Sequence, residues 1–161
     1  MPYTRPTTDI AKEGLFNILQ NNLQLDELKV LDLFGGTGCI SYELASRGAP
    51  DITIVEKDDK MYAFIKKTAA ELEFENFNVV KSDVFRFIET TGQQYDFIFA
   101  GPPYALTSID ELPKKIVEKN LLKPGGWFVL EHTPRNDYKK FTQYKTERNY
   151  GTTIFSIFIN S

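Results

Sequence analysis

Hydrophobic and polar positions along the chain alternate between two rhythms. Short, nearly continuous apolar runs of about five residues recur at 29–34 (KVLDLF), 51–56 (DITIVE), 77–81 (FNVVK), 95–100 (YDFIFA) and 127–131 (WFVLE). Runs of this length bounded by turn residues predict buried strands. Between them the apolar residues are spaced for one face of a helix: from Thr8 or Asp9, either of which can cap, to about Gln20, with Ala11, Leu15, Ile18 and Leu19 on that face; then 40–46, 59–72, 84–89 and 109–119. Lys123-Pro124-Gly125-Gly126 predicts a turn, and two further strands are expected near 141–147 and 153–159 with no helix between them. Strands alternating with helices imply parallel pairing through right-handed crossovers, and the closing strand pair implies an antiparallel edge. The expectation is a doubly wound α/β sheet whose ligands sit beyond the carboxyl ends of its strands.

Composition adds limits. The 161 residues fit one domain, with residues 1–20 forming an N-terminal motif and helix packed on it, and 42% hydrophobic content is ordinary for a globular protein. No apolar run approaches the ~20 residues of a membrane span. A single cysteine, Cys39, agrees with a reducing cytoplasm, and with one histidine, His132, it makes a Cys/His metal site an unattractive reading. Cys39 reads as a small packed residue, His132 as structural, and Phe85, Phe87, Phe97 and Phe99 as core. Net charge is −3, yet from His132 onward five cations face two acids. That basic third can meet phosphates or form a solvated face.

Three strand ends carry candidate chemistry. After the first strand comes Phe34-Gly35-Gly36-Thr37-Gly38, which lets backbone approach a ligand closely but departs from GxGxxG, since Ser41 holds the third glycine position. An acid within that strand, Asp32, suits a ligand bearing an ammonium group and no phosphates, such as S-adenosylmethionine. Glu56 ends the second strand, where a carboxylate can accept both ribose hydroxyls. Asp83, followed by Val84, can bond an adenine amino group, cap the next helix, or do both.

The fourth strand ends in Gly101-Pro102-Pro103-Tyr104. Prolines cannot donate to a sheet ladder, so they stop the strand and stiffen its turn. They hold the Pro102 carbonyl toward the crevice and place Tyr104 to stack on a flat ring. Methyl transfer to an exocyclic base amine needs both: acceptors that favour the developing cationic nitrogen, and a fixed ring.

This motif resembles the Asp/Asn-Pro-Pro-Tyr/Phe of amino-methyltransferases. With RPTTDIAKEGLFNIL (5–19), LDLFGGTG (31–38), LEH (130–132) and RNYG (148–151), the chain resembles the RsmD-type bacterial small-subunit rRNA guanine-N2 methyltransferases. The resemblance implies a seven-stranded, Rossmann-like class I methyltransferase sheet. It also implies S-adenosylmethionine held by Asp32, Phe34, Gly36, Thr37, Gly38, Glu56, Asp83 and Val84. A target site at Gly101, Pro102, Pro103 and Tyr104 follows, with Arg5, Thr7, Thr8 and Asp9 over the cofactor or the RNA; capping is the plainer role for Thr8 and Asp9. The implied partner is ribosomal RNA or the small subunit, for a cytoplasmic monomer with no membrane association. Two departures stand out. Only Met1 to Thr4 precede Arg5, where the family usually carries a basic strand segment, and Gly101 replaces the usual acid. Losing one preorganised acceptor typically costs ~3–4 kcal/mol, about 10²–10³ in rate. A slow enzyme, a substitute acid elsewhere, or a cofactor-binding but silent RNA-associated protein would each explain that glycine. A DNA adenine-N6 methyltransferase shares the proline motif, but no DNA-recognition domain is evident.

Overall fold

Thr8 opens the first helix, its hydroxyl accepting from the Ala11 amide at 3.3 Å. In this computed structural model, which describes residues 8–103 and 105–161, helix α1 runs Asp9–Asn22 and buries Ala11, Leu15, Phe16 and Leu19. A short 3-10 turn, Leu25–Glu27, which the apolar pattern does not predict, leads into strand β1, Lys29–Leu33. Then follow α2 (Cys39–Ser46), β2 (Asp51–Glu56), α3 (Asp59–Glu71), β3 (Phe77–Lys81), α4 (Val84–Thr90), β4 (Tyr95–Ala100), α5 (Glu111–Glu118), β5 (Leu122–His132), β6 (Tyr144–Tyr150) and β7 (Thr153–Ile159). Among the described residues no helix is long and apolar enough to cross a membrane.

The seven strands form one sheet in the order β3-β2-β1-β4-β5-β7-β6. The first five pair in parallel; β7 runs antiparallel to both β5 and β6. The predicted closing pair is therefore an antiparallel hairpin, with β7 tucked inside the edge strand β6.

Strands β1, β2 and β4 read as unbroken apolar runs because helices cover both faces. Alternate residues split between two cores. Val30, Ile52, Ile54, Phe97 and Phe99 pack with α1, α2 and α3; Leu31, Leu33, Val55, Ile98 and Ala100 pack with α4 and α5. Two predicted boundaries move. Lys123–Gly126 does not precede β5 but bulges within it, between the Tyr95–Leu122 and Phe97–Trp127 pairs, tied down by the Gly125 amide on the Asn160 carbonyl. The edge strand β6 begins at Tyr144, three residues later than its pattern suggests, because only one of its faces packs and the polar alternation constrains its start weakly.

Strand order reverses between β1 and β4. The chain leaves β1 toward β2 on one side and returns at β4 on the other, so the loops after Leu33 and Ala100, which are paired neighbours, splay apart. In open α/β sheets this is where a ligand crevice forms.

Candidate functional site

The loop after β1 has its shape fixed from both sides. Gly38 sits at φ 83°, and a Cβ there would lie 2.5 Å from the Tyr42 ring, so only glycine is accommodated. Its amide donates to the Gly35 carbonyl at 2.8 Å. Glu56, at the tip of β2, holds the loop through its side chain: one carboxylate oxygen accepts from the Gly36 amide at 3.0 Å and the other from the Asp58 amide at 2.9 Å. Each oxygen keeps a second acceptor site, so this anchoring leaves Glu56 able to receive hydroxyl donors. Phe34, the residue after β1, is left-handed at φ 61°, a conformation that costs a non-glycine residue about 1–2 kcal/mol and clusters at ligand sites.

A hollow of about 520 Å³ opens beyond these tips. Phe34, Val55, Val84 and Phe85 give it apolar walls; among the described residues Glu56, Asp58, Asp59 and Asp83 line it with one lysine, Lys57, and Lys81 is ion-paired with Asp59, so acids outnumber bases. This balance repels phosphates and favours a cationic ligand with hydroxyl and amino donors. Asp83 also caps α4, accepting from the Arg86 amide at 3.1 Å; both roles foreseen for it are open together, since the capping bond uses one oxygen.

Asp32 is placed differently from the simplest expectation. It is only 2% exposed, lies behind the glycine loop, and accepts from the Ser41 hydroxyl at 2.6 Å. Burial pushes its carboxyl up to about 7, the Ser41 bond pulls it back, and the Glu56 charge pushes it up again. An acid this poised is easily ionised by an approaching cation. Thr37 is half-buried and close enough to the Cys39 thiol to hydrogen-bond it. The thiol is raised chiefly by burial, which makes Cys39 an inert packed residue.

A second hollow, about 440 Å³, lies against the first and shares Pro103 and Leu106 with it. Its wall contains Pro102, Glu131, His132 and Arg135. His132 is structural, as its sequence position suggests: Nε2 meets the Ser156 hydroxyl at 2.6 Å, Nδ1 lies 2.8 Å from the Thr133 carbonyl, and burial lowers its basicity. The structure thus brings Phe34, Glu56, Asp83, Val84, Gly101 and Pro103 around one space and Pro102 and Pro103 around its neighbour. Arg5, Thr7 and Tyr104 lie outside the described residues, and Thr8 acts as the α1 cap. Phe85, read from sequence as core, packs against the core beside α4 and also lines the first hollow. Glu131 and Arg135 were missed as site residues; the signals for Glu131 are an acid at the end of an apolar strand and its place in the LEH motif.

The chain has relatives among known proteins. The family model described as "Conserved hypothetical protein 95" matches residues 1–159. The chain is 27% identical over 164 residues to "Ribosomal RNA small subunit methyltransferase D" of Buchnera aphidicola, covering 97% of this chain and 81% of that one. The solved structure of yhhF from Escherichia coli superposes with a TM-score of 0.87 at 25% identity, over 99% of this chain and 89% of the other. At 22% identity a Thermus thermophilus 16S rRNA N2 methyltransferase, solved with AdoMet and guanosine, shares the fold with a TM-score of 0.76 over 96% of this chain and 44% of its own.

Proposed function

The chain belongs to the Conserved hypothetical protein 95 family, and from that premise we propose that it transfers a methyl group from S-adenosylmethionine to the exocyclic N2 amine of a guanine in small-subunit ribosomal RNA. One observation carries the reading. An acidic hollow at the strand-order reversal adjoins a second hollow through Pro103 and Leu106, which suits a cationic donor facing a planar acceptor. The name of the Buchnera relative, an rRNA small-subunit methyltransferase, supports it.

The residues present fit the donor. Among the described residues the carboxylates outnumber Lys57 and Lys81, so a positive sulfonium and ammonium are welcome where phosphates are not. When bound, S-adenosylmethionine supplies a methyl on a sulfonium that is electrophilic without further activation. Glu56 receives the ribose hydroxyls while steadying the loop. Asp83 accepts from the adenine amino group, and Phe34, Val84 and Phe85 enclose the ring. Asp32, with the Gly36–Gly38 backbone, takes the ammonium. On the acceptor side the rigid Pro102 carbonyl holds an amine hydrogen, and Tyr104 stacks on the base. Arg5 and Thr7, with Arg135 and the basic C-terminal third, meet the RNA backbone. The protein is read as a cytoplasmic monomer.

Gly101 favours one second reading, a protein that binds donor and RNA without turnover. Incubating the protein with small subunits and isotope-labelled S-adenosylmethionine, then digesting the RNA to nucleosides, separates the two. N2-methylguanosine is the expected product. Label in N6-methyladenosine would refute the guanine assignment, and donor binding without label in any RNA would establish the silent protein.

A further inference from the structure

Gly101 leaves the proline turn without a side-chain acceptor, and the neighbouring strand supplies one. Ala100 and Leu130 are paired across β4 and β5, so Gly101 and Glu131 each stand one residue beyond that pair, at the open end of the sheet. Glu131 is 4% exposed, yet it lines the second hollow beside Pro102 and Pro103. A Cβ built on Gly101 would lie 3.6 Å from the Glu131 Oε1 atom. A Glu131 carboxylate oxygen therefore lies in van der Waals contact with the position from which the missing acid would branch. The Phe99 ring, 3.2 Å from the same point, bounds that space on one side. His132 and Arg135 line the same hollow; both ring nitrogens of His132 are engaged.

We propose that the Glu131 carboxylate is the acceptor for the target amine, replacing the acid absent at Gly101. This rests on the methyl-transfer reading above. The N2 lone pair forms the new C–N bond as the C–S electron pair withdraws onto sulfur, leaving a thioether and a cationic amine. Glu131 and the Pro102 carbonyl accept the two amine hydrogens as that charge develops, and one proton then passes through Glu131 to solvent. A carboxylate in a largely water-excluded wall stabilises the developing cation more strongly than an exposed one.

The test compares wild type, Glu131→Leu, Glu131→Gln and the double variant Gly101→Asp/Glu131→Leu. Single-turnover transfer to small-subunit RNA is measured at saturating S-adenosylmethionine. Affinity for guanosine and for inosine, which lacks the N2 amine, is measured with S-adenosylhomocysteine bound. Glu131→Leu should lower transfer about 10²–10³-fold with donor affinity near wild type. It should also abolish the preference for guanosine. Glu131→Gln, which keeps a carbonyl acceptor in the same place, should fall between, and Gly101→Asp should restore at least tenfold in the Leu background. A folded Glu131→Leu that binds donor and transfers within threefold of wild type overturns the assignment while leaving methyl transfer intact. Wild type that transfers to no RNA overturns the underlying reading instead. Should Glu131→Leu fail to fold, Glu131→Gln and the nucleoside preference decide: equal affinity of wild type for guanosine and inosine refutes Glu131 as the acceptor.

Discussion

Replacing Asp32 with asparagine should make the protein relatively more stable at alkaline pH while weakening its site. The Asp32 carboxyl is raised from 3.8 to about 7, by burial first and by the Glu56 charge, against the opposing Ser41 bond. The native state therefore holds this proton more tightly than the unfolded chain. Its stabilising contribution is full below about pH 4 and is lost as pH rises toward 7, levelling off above. Between pH 5 and pH 8 the loss is about 3 kcal/mol. The substituted asparagine does not titrate. Its amide leaves a buried N–H to satisfy, an offset of about 1–3 kcal/mol that does not vary with pH. Urea unfolding at pH 5, 6, 7 and 8 should show the difference between Asp32→Asn and wild type moving in the variant's favour by about 3 kcal/mol. Profiles parallel within about 1 kcal/mol would mean that Asp32 is ionised in the native state at pH 5, and that the buried, proton-holding carboxyl is wrong. The same group predicts that wild-type affinity for S-adenosylmethionine rises between pH 6 and 8, and that in Asp32→Asn it is weak and flat.

Glu56→Ala should lower S-adenosylmethionine affinity tenfold or more by calorimetry, and lower stability by about 1–3 kcal/mol, because the Gly36 and Asp58 amides both lose their acceptor; unchanged affinity would remove Glu56 from the ribose role. Asp83→Ser keeps a capping oxygen on α4, so the unfolding midpoint should barely move while donor affinity falls several-fold. Thr8→Ala removes the α1 cap and should cost about 1 kcal/mol by urea titration, with no change in donor affinity.

Much of the scaffold is legible in the sequence because both faces of β1, β2 and β4 are covered, leaving unbroken apolar runs that no surface strand would carry. The Lys123–Gly126 segment misleads for a local reason. A proline and two glycines read as the end of pairing, but β5 already begins at Leu122, and Asn160, just beyond the end of β7, fastens the bulge. On the site, spacing along one chain finds Glu56 and Asp83 because each is an acid standing at a strand end just before a helix. It does not find Glu131, whose role depends on which residue of the neighbouring strand lies opposite. Nor does it foresee that Asp32 turns inward to Ser41. Phe85 shows a partial reading: an aromatic on a short helix reads as core, which it packs against, and the gap left by the splayed loops makes its other side a wall.

A crystal structure with S-adenosylhomocysteine and guanosine tests the central claim most directly. The adenosyl group should lie between Phe34 and Val84 with its ribose hydroxyls on Glu56, its sulfur pointing at the shared Pro103–Leu106 wall, and the guanine N2 within hydrogen-bond reach of the Pro102 carbonyl and Glu131. An adenosyl group bound away from Glu56, or a guanine whose N2 faces away from Pro102, would contradict it.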